Sequence, residues 1–78
     1  MDVRIGVTYS PKEILVEMAD DADRAEVKAI VDKALSDNDN ILWLTDRRGR
    51  EVAVPVSKVA YVEIGAPSAI KHIGFGGA

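Results

Sequence analysis

Residues 41–54 read ILWLTDRRGREVAV, and the fold turns on whether this stretch is one hairpin. Asp46-Arg47-Arg48-Gly49 suits a type I turn, with Asp at the first position and Gly at the fourth. The glycine accepts positive φ there and makes a bulge. That register sets Leu44 opposite Val52 and Leu42 opposite Val54. All four then share one face, so turn chemistry and hydrophobic alternation agree. Pro55 has no N–H to give a ladder, so the second strand ends there or lies at an edge.

The flanking segments follow the same logic. In DVRIGVTY, Val3, Ile5, Val7 and Tyr9 alternate with Asp2, Arg4, Gly6 and Thr8, the period of a half-buried strand. Ser10-Pro11 is a turn signal, and EILVEM follows with Ile14, Val16 and Met18 on one face. From Asp20 to Leu35 the period changes. Val27, Ile30, Val31, Ala34 and Leu35 form one helical stripe. Asp20 or Asp21 is expected to cap it, with the acids of the first turn favoured by the helix dipole. Ser36 to Asn40 ends the helix, Asn being tolerant of a left-handed cap. Downstream of Pro55, Ser57-Lys58 reads as a tight turn, then VAYVEI as a strand with Ala60, Val62 and Ile64 on one face.

The predicted order is therefore β-β-α-β-β-β, an α+β fold with one amphipathic helix packed on one face of a mainly antiparallel sheet. Residues 1–66 are expected to form a single domain, and residues 67–78 a flexible, glycine-containing tail. The helix stripe would cover Val3, Ile5, Val7, Ile14, Val16, Leu42, Leu44, Val52, Val54, Val62 and Ile64.

Composition narrows the classes of function. A chain of 78 residues is one domain, and with no run of about 18 apolar residues it has no membrane span. No basic region leads into a long apolar segment, so no signal peptide is expected. There are no cysteines, which removes disulfides, thiolate nucleophiles and Cys-type zinc sites and fits a cytoplasmic protein. The net charge of −3 argues against a general nucleic-acid binder.

One helix covers one sheet face. The other face, by alternation, carries Leu15, Ile41, Trp43, Val59 and Tyr61 among charged residues. Side chains this apolar mark an interface when neighbouring strands gather them, and Trp and Tyr are frequent anchors. Self-association or a protein partner is the expected use, with the alternative that Ile70, Ile73 and Phe75 of the tail fold back over the face. Arg4, Arg47, Arg48 and Arg50 are the candidate phosphate contacts, since guanidinium forks match phosphate oxygens. The competing reading is a solvated hairpin tip, because central positions of a type I turn accept most residues.

Catalytic and metal chemistry find no support. Asp37-Asn38-Asp39-Asn40 starts like a calcium loop, but Ile41 and Leu42 fall where a ligand and a glycine are needed. His72 is the only histidine and stands without cysteine. Neither of the usual glycine-rich phosphate cradles is present. No enzyme activity and no cofactor is expected. A hairpin followed by a helix and more strands also resembles the start of a ubiquitin-like β-grasp, whose small carrier members end in Gly-Gly. Here Ala78 follows Gly76-Gly77.

VRIGVTYSPKEI, LTDRRGREVAVPVSKVAYVEIG and the later GFG together resemble short actinobacterial proteins of a domain-of-unknown-function family. The shared motifs are an N-terminal (V/I)-x-I-G-V strand, a Ser-Pro-(K/R)-E turn, L-T-D-x-x-G-R and a K/R-(V/I)-A-Y-V-E-I-G strand. Members are sometimes labelled ATP-binding by automatic transfer. The resemblance implies a cytoplasmic address and offers a nucleotide-binding alternative. It brings no catalytic residues.

Overall fold

The computed structural model of the chain describes residues 1–37 and 40–65. In chain order it contains β1 (Asp2–Val7), β2 (Glu13–Glu17), α1 (Arg24–Ser36), β3 (Ile41–Thr45), β4 (Glu51–Pro55), a 3-10 turn (Val56–Lys58) and β5 (Val59–Ile64). The fold is α+β in the expected order, and every strand pairing is antiparallel. The strands divide between two sheets, a three-stranded one ordered β2-β1-β5 and the β3–β4 hairpin.

The hairpin register is the one the turn demands. Leu42 pairs with Val54 and Leu44 with Val52. Gly49 has φ of 83°, and its N–H donates to the Asp46 carbonyl at 3.0 Å. The Asp46 N–H donates to the Arg50 carbonyl at 2.8 Å, which closes the loop with the one-residue bulge. Pro55 is the last residue of β4, where its missing N–H breaks no internal ladder. Val56 N–H continues the pairing to the Asn40 carbonyl. The tight turn expected at Ser57-Lys58 forms as a single 3-10 turn, in which the Val59 N–H donates to the Val56 carbonyl.

Helix α1 starts later than the acidic cluster suggests. Asp23 is the N-cap, and its carboxylate accepts the Ala25 N–H at 2.9 Å; neither Asp20 nor Asp21 has this role. At the other end Asp37 takes a right-handed conformation and its N–H bonds the Lys33 carbonyl. Asn38 and Asp39 lie outside the described residues. Of the predicted stripe, Val27, Val31 and Ala34 are buried, while Ile30 and Leu35 are largely exposed. The helix therefore uses a narrower face than the pattern offered. At 13 residues it is too short to cross a membrane.

One core joins all the elements. Val3, Ile5, Val16, Leu42, Leu44 and Val54 meet Val27, Val31 and Ala34 there. Each of these valine, isoleucine and leucine side chains contributes about 1.5–3 kcal/mol on burial. Two expectations about β1 and β5 fail for local reasons. Gly6 pairs with Tyr61, but Val7 pairs with Val59, so Ala60 is an extra residue in the ladder. This bulge reverses the alternation. Val59 turns toward the core and Ala60 is exposed. Tyr9 leaves the strand altogether. It sits in the β1–β2 loop with φ of 63°, fully exposed.

Candidate interaction site

Alternation places Leu15 and Tyr61 on the outward face of the three-stranded sheet, and Ile41 and Trp43 on the outward face of the hairpin. All four are exposed large apolar residues, Trp43 to 54%. Val59, the fifth candidate, does not join them; it is half-buried against the core because of the bulge. No cross-strand pair connects the Leu15–Tyr61 group to the Ile41–Trp43 group, because the two belong to separate sheets.

The hairpin half is the apolar one. Ile41 pairs with Pro55 and Trp43 with Ala53, so the outward face of β3–β4 carries Ile41, Trp43, Ala53 and Pro55 side by side. All four are exposed. Thr45 and Glu51 pair at the tip end and give this ledge a polar border.

The outward face of the three-stranded sheet is charged. Across the strands it runs Glu13, Gly6, Tyr61; then Leu15, Arg4, Glu63; then Glu17 and Asp2. Arg4 lies 3.9 Å from Glu13 and 3.6 Å from Glu63. The Tyr61 ring lies across Gly6, where an added Cβ would stand 2.1 Å from a ring carbon. Its hydroxyl reaches over β1 and donates to the Glu13 carboxylate. That bond, then partial burial, then the charges of Glu13 and Glu63 push the phenol above its ordinary value.

The hairpin tip is anchored at its base, while Arg47, Arg48, Gly49 and Arg50 are all exposed. Asp46 is the one buried charged residue among those described. One carboxylate oxygen accepts the N–H groups of Arg48 at 2.9 Å and Arg50 at 2.8 Å, and the other accepts the Arg50 Nε at 2.8 Å. Burial alone would raise the Asp46 carboxyl. The Arg50 N–H, the Arg50 side chain, the Arg48 N–H and the Arg50 charge outweigh it and hold the pKa below the usual value. The Arg47 N–H donates to the Glu17 carbonyl at 2.7 Å, which ties the tip to the end of β2. The Arg47 guanidinium lies 3.7 Å from Asp20.

The four candidate phosphate contacts are thus dispersed. Arg4 sits between two glutamates, Arg50 braces Asp46, and Arg47 faces Asp20. Only Arg48 has no carboxylate partner among the described residues. No group of three or more metal-ligating side chains occurs among the described residues. His72, the tail apolar residues Ile70, Ile73 and Phe75, and Gly76-Gly77 lie outside them.

Sequence reasoning missed Tyr9, Gly6 and the depth of Asp46. Gly6 did carry a signal, since glycine inside a strand often marks a close approach. The left-handed Tyr9 carries none, because the alternation of Val3, Ile5 and Val7 runs on through it unbroken.

A family model described as "Protein of unknown function (DUF3107)" matches residues 1–76. The chain belongs to this family. No curated protein matches it.

Proposed function

We propose that this DUF3107 family member is a non-enzymatic protein-interaction or self-association module that uses the outward face of β3–β4. The observation that carries the reading is the contiguous ledge of Ile41, Trp43, Ala53 and Pro55, exposed in the middle of a well-registered hairpin. A rigid sheet presents these side chains with little loss of conformational freedom on binding. Trp43 supplies the large anchor. Leu15 and Tyr61 stand among carboxylates on the other sheet and serve as a secondary contact at most.

Trp43 is the only tryptophan, so its emission reports directly on the ledge. The emission maximum is expected to shift to shorter wavelength as the partner, or the protein's own concentration, is raised. Trp43→Ala should weaken that association by roughly 2 kcal/mol or more, as anchors of this type do. The unfolding midpoint should stay nearly constant. A variant that unfolds instead would place Trp43 in the core and remove the proposal.

A nucleic-acid or nucleotide reading draws on the arginines and is the weaker one, because three of the four already face carboxylates. It requires salt-sensitive oligonucleotide binding or an ATP-induced shift of amide resonances near Arg48. The carrier reading depends on Gly76-Gly77 and draws nothing from the described residues.

A further inference from the structure

β5 is an edge strand with no described strand on its outer side. Its sequence, VAYVEI, contains no proline or lysine and one charge, whereas β2 at the opposite edge has glutamate at both ends. Exposed edges of this composition readily accept another strand. The backbone shows which residues would accept it. The Gly65 N–H donates to the Asp2 carbonyl at 2.7 Å, and Val3 pairs with Ile64. Antiparallel alternation then turns the N–H and C=O groups of Glu63 and Tyr61 toward β1, and those of Val62 and Ile64 outward.

Beside this edge lies a groove of about 320 Å³ between β5 and α1, lined by Val62, Ile64, Arg24, Lys28, Asp32 and Leu35. The Arg24 Nε donates to the Gly65 carbonyl at 3.2 Å, so α1 begins where β5 ends and the two run antiparallel. Along the groove the helix presents two cations, then Val31 and the anion Asp32, then Leu35. Neither Lys28 nor Asp32 has an ion-pair partner among the described residues.

We propose that β5 is a homodimer seam, pairing antiparallel with β5 of a second copy about a two-fold axis at Val62. Facing residues must share a sheet face, and only a centre on a residue satisfies this under two-fold symmetry. Centring on Val62 lets the two Val62 residues exchange both backbone hydrogen bonds and sets Tyr61 opposite the partner's Glu63. Centring on Glu63 would bring like charges face to face. The two sheets then merge into one ordered β2-β1-β5-β5-β1-β2. The two α1 helices lie antiparallel beside the seam, which brings Lys28 against the partner's Asp32 twice. The same operation sets the two Val62 side chains side by side on the helix-covered face. This seam is independent of the β3–β4 ledge.

The test is molar mass by light scattering over a wide concentration range, with amide exchange on the same full-length samples. A dimer is expected, with exchange at Val62 and Ile64 slowing as concentration rises while Tyr61 and Glu63 stay unchanged. Lys28→Glu and Asp32→Lys should each weaken dimerisation roughly tenfold or more, since each sets like charges together twice. The double exchange should restore it. Both residues are exposed, so neither variant should unfold the domain. A monomer at every concentration would overturn the seam. So would a dimer indifferent to both charge substitutions but lost with Trp43→Ala, which would locate self-association on the ledge. Val62 and Ile64 amides protected in a strict monomer would also overturn it, the edge then being covered within one chain.

Discussion

Gly6 and Tyr61 illustrate how one side chain sets the requirement for another. They are direct partners across β1 and β5, and the ring occupies the volume that any Cβ at position 6 would need. Gly6→Ala is therefore expected to push the ring off the sheet and break the Tyr61–Glu13 hydrogen bond. The phenol should then titrate closer to its ordinary value of about 10, followed by absorbance with Tyr61→Phe as the reference that leaves Tyr9 alone. Because folding raises the Tyr61 pKa, its contribution to stability is present below the unfolded value and fades as pH climbs through the folded one. Gly6→Ala should flatten that alkaline decline. An unchanged Tyr61 titration would mean the ring does not depend on the glycine.

The β3–β4 hairpin depends on Asp46 in a comparable way. Its carboxylate satisfies two loop N–H groups and the Arg50 guanidinium together, in a position nearly closed to water. Asp46→Asn keeps an acceptor for the backbone but gives up the charge that Arg50 pairs with. The variant should be less stable than the parent at neutral pH. Folding lowers the Asp46 pKa, so the parent's advantage exists above the unfolded value and disappears as pH falls through the folded one. The two stability curves should therefore converge in acid, measured by urea unfolding at stepped pH. Curves that remain parallel would show that the charge on Asp46 contributes nothing. The same anchoring weakens the idea of a free basic tip, because Arg50 is committed to Asp46 and the Arg47 N–H to Glu17.

Taken whole, the described residues form two sheets and one helix but a single core. Leu42 has no exposed surface and belongs to the hairpin sheet, while Val3 and Ile5, equally covered, belong to the other. Leu42→Ala should cost about 2–5 kcal/mol, the range for truncating a fully buried leucine. A domain of this size has little stability to spare, so such a loss would unfold much of the population. Because the core is shared, the loss should appear as one cooperative transition seen by both Trp43 fluorescence and far-ultraviolet circular dichroism. Two separate transitions would mean that the hairpin unfolds on its own.

Local rules were enough to read the element order, the β3–β4 register and the turn at Gly49 from the residues alone. Each is decided by chain neighbours: alternation, an Asp three residues before a Gly, and that glycine's freedom to take positive φ. The exposure of Ile41, Trp43, Leu15 and Tyr61 was legible for the same reason, as parity along regular strands. What the tertiary structure decided is where regularity breaks. The bulge at Ala60 returned Val59 to the core, because matching β5 to β1 beyond Gly6 required one extra residue. Division into two sheets parted Trp43 from Tyr61. The pairing of Arg4, Arg47 and Arg50 depends on carboxylates distant in sequence or turned inward by the fold. Alternation measures position along one strand, and it carries no information about which strand comes to lie beside it.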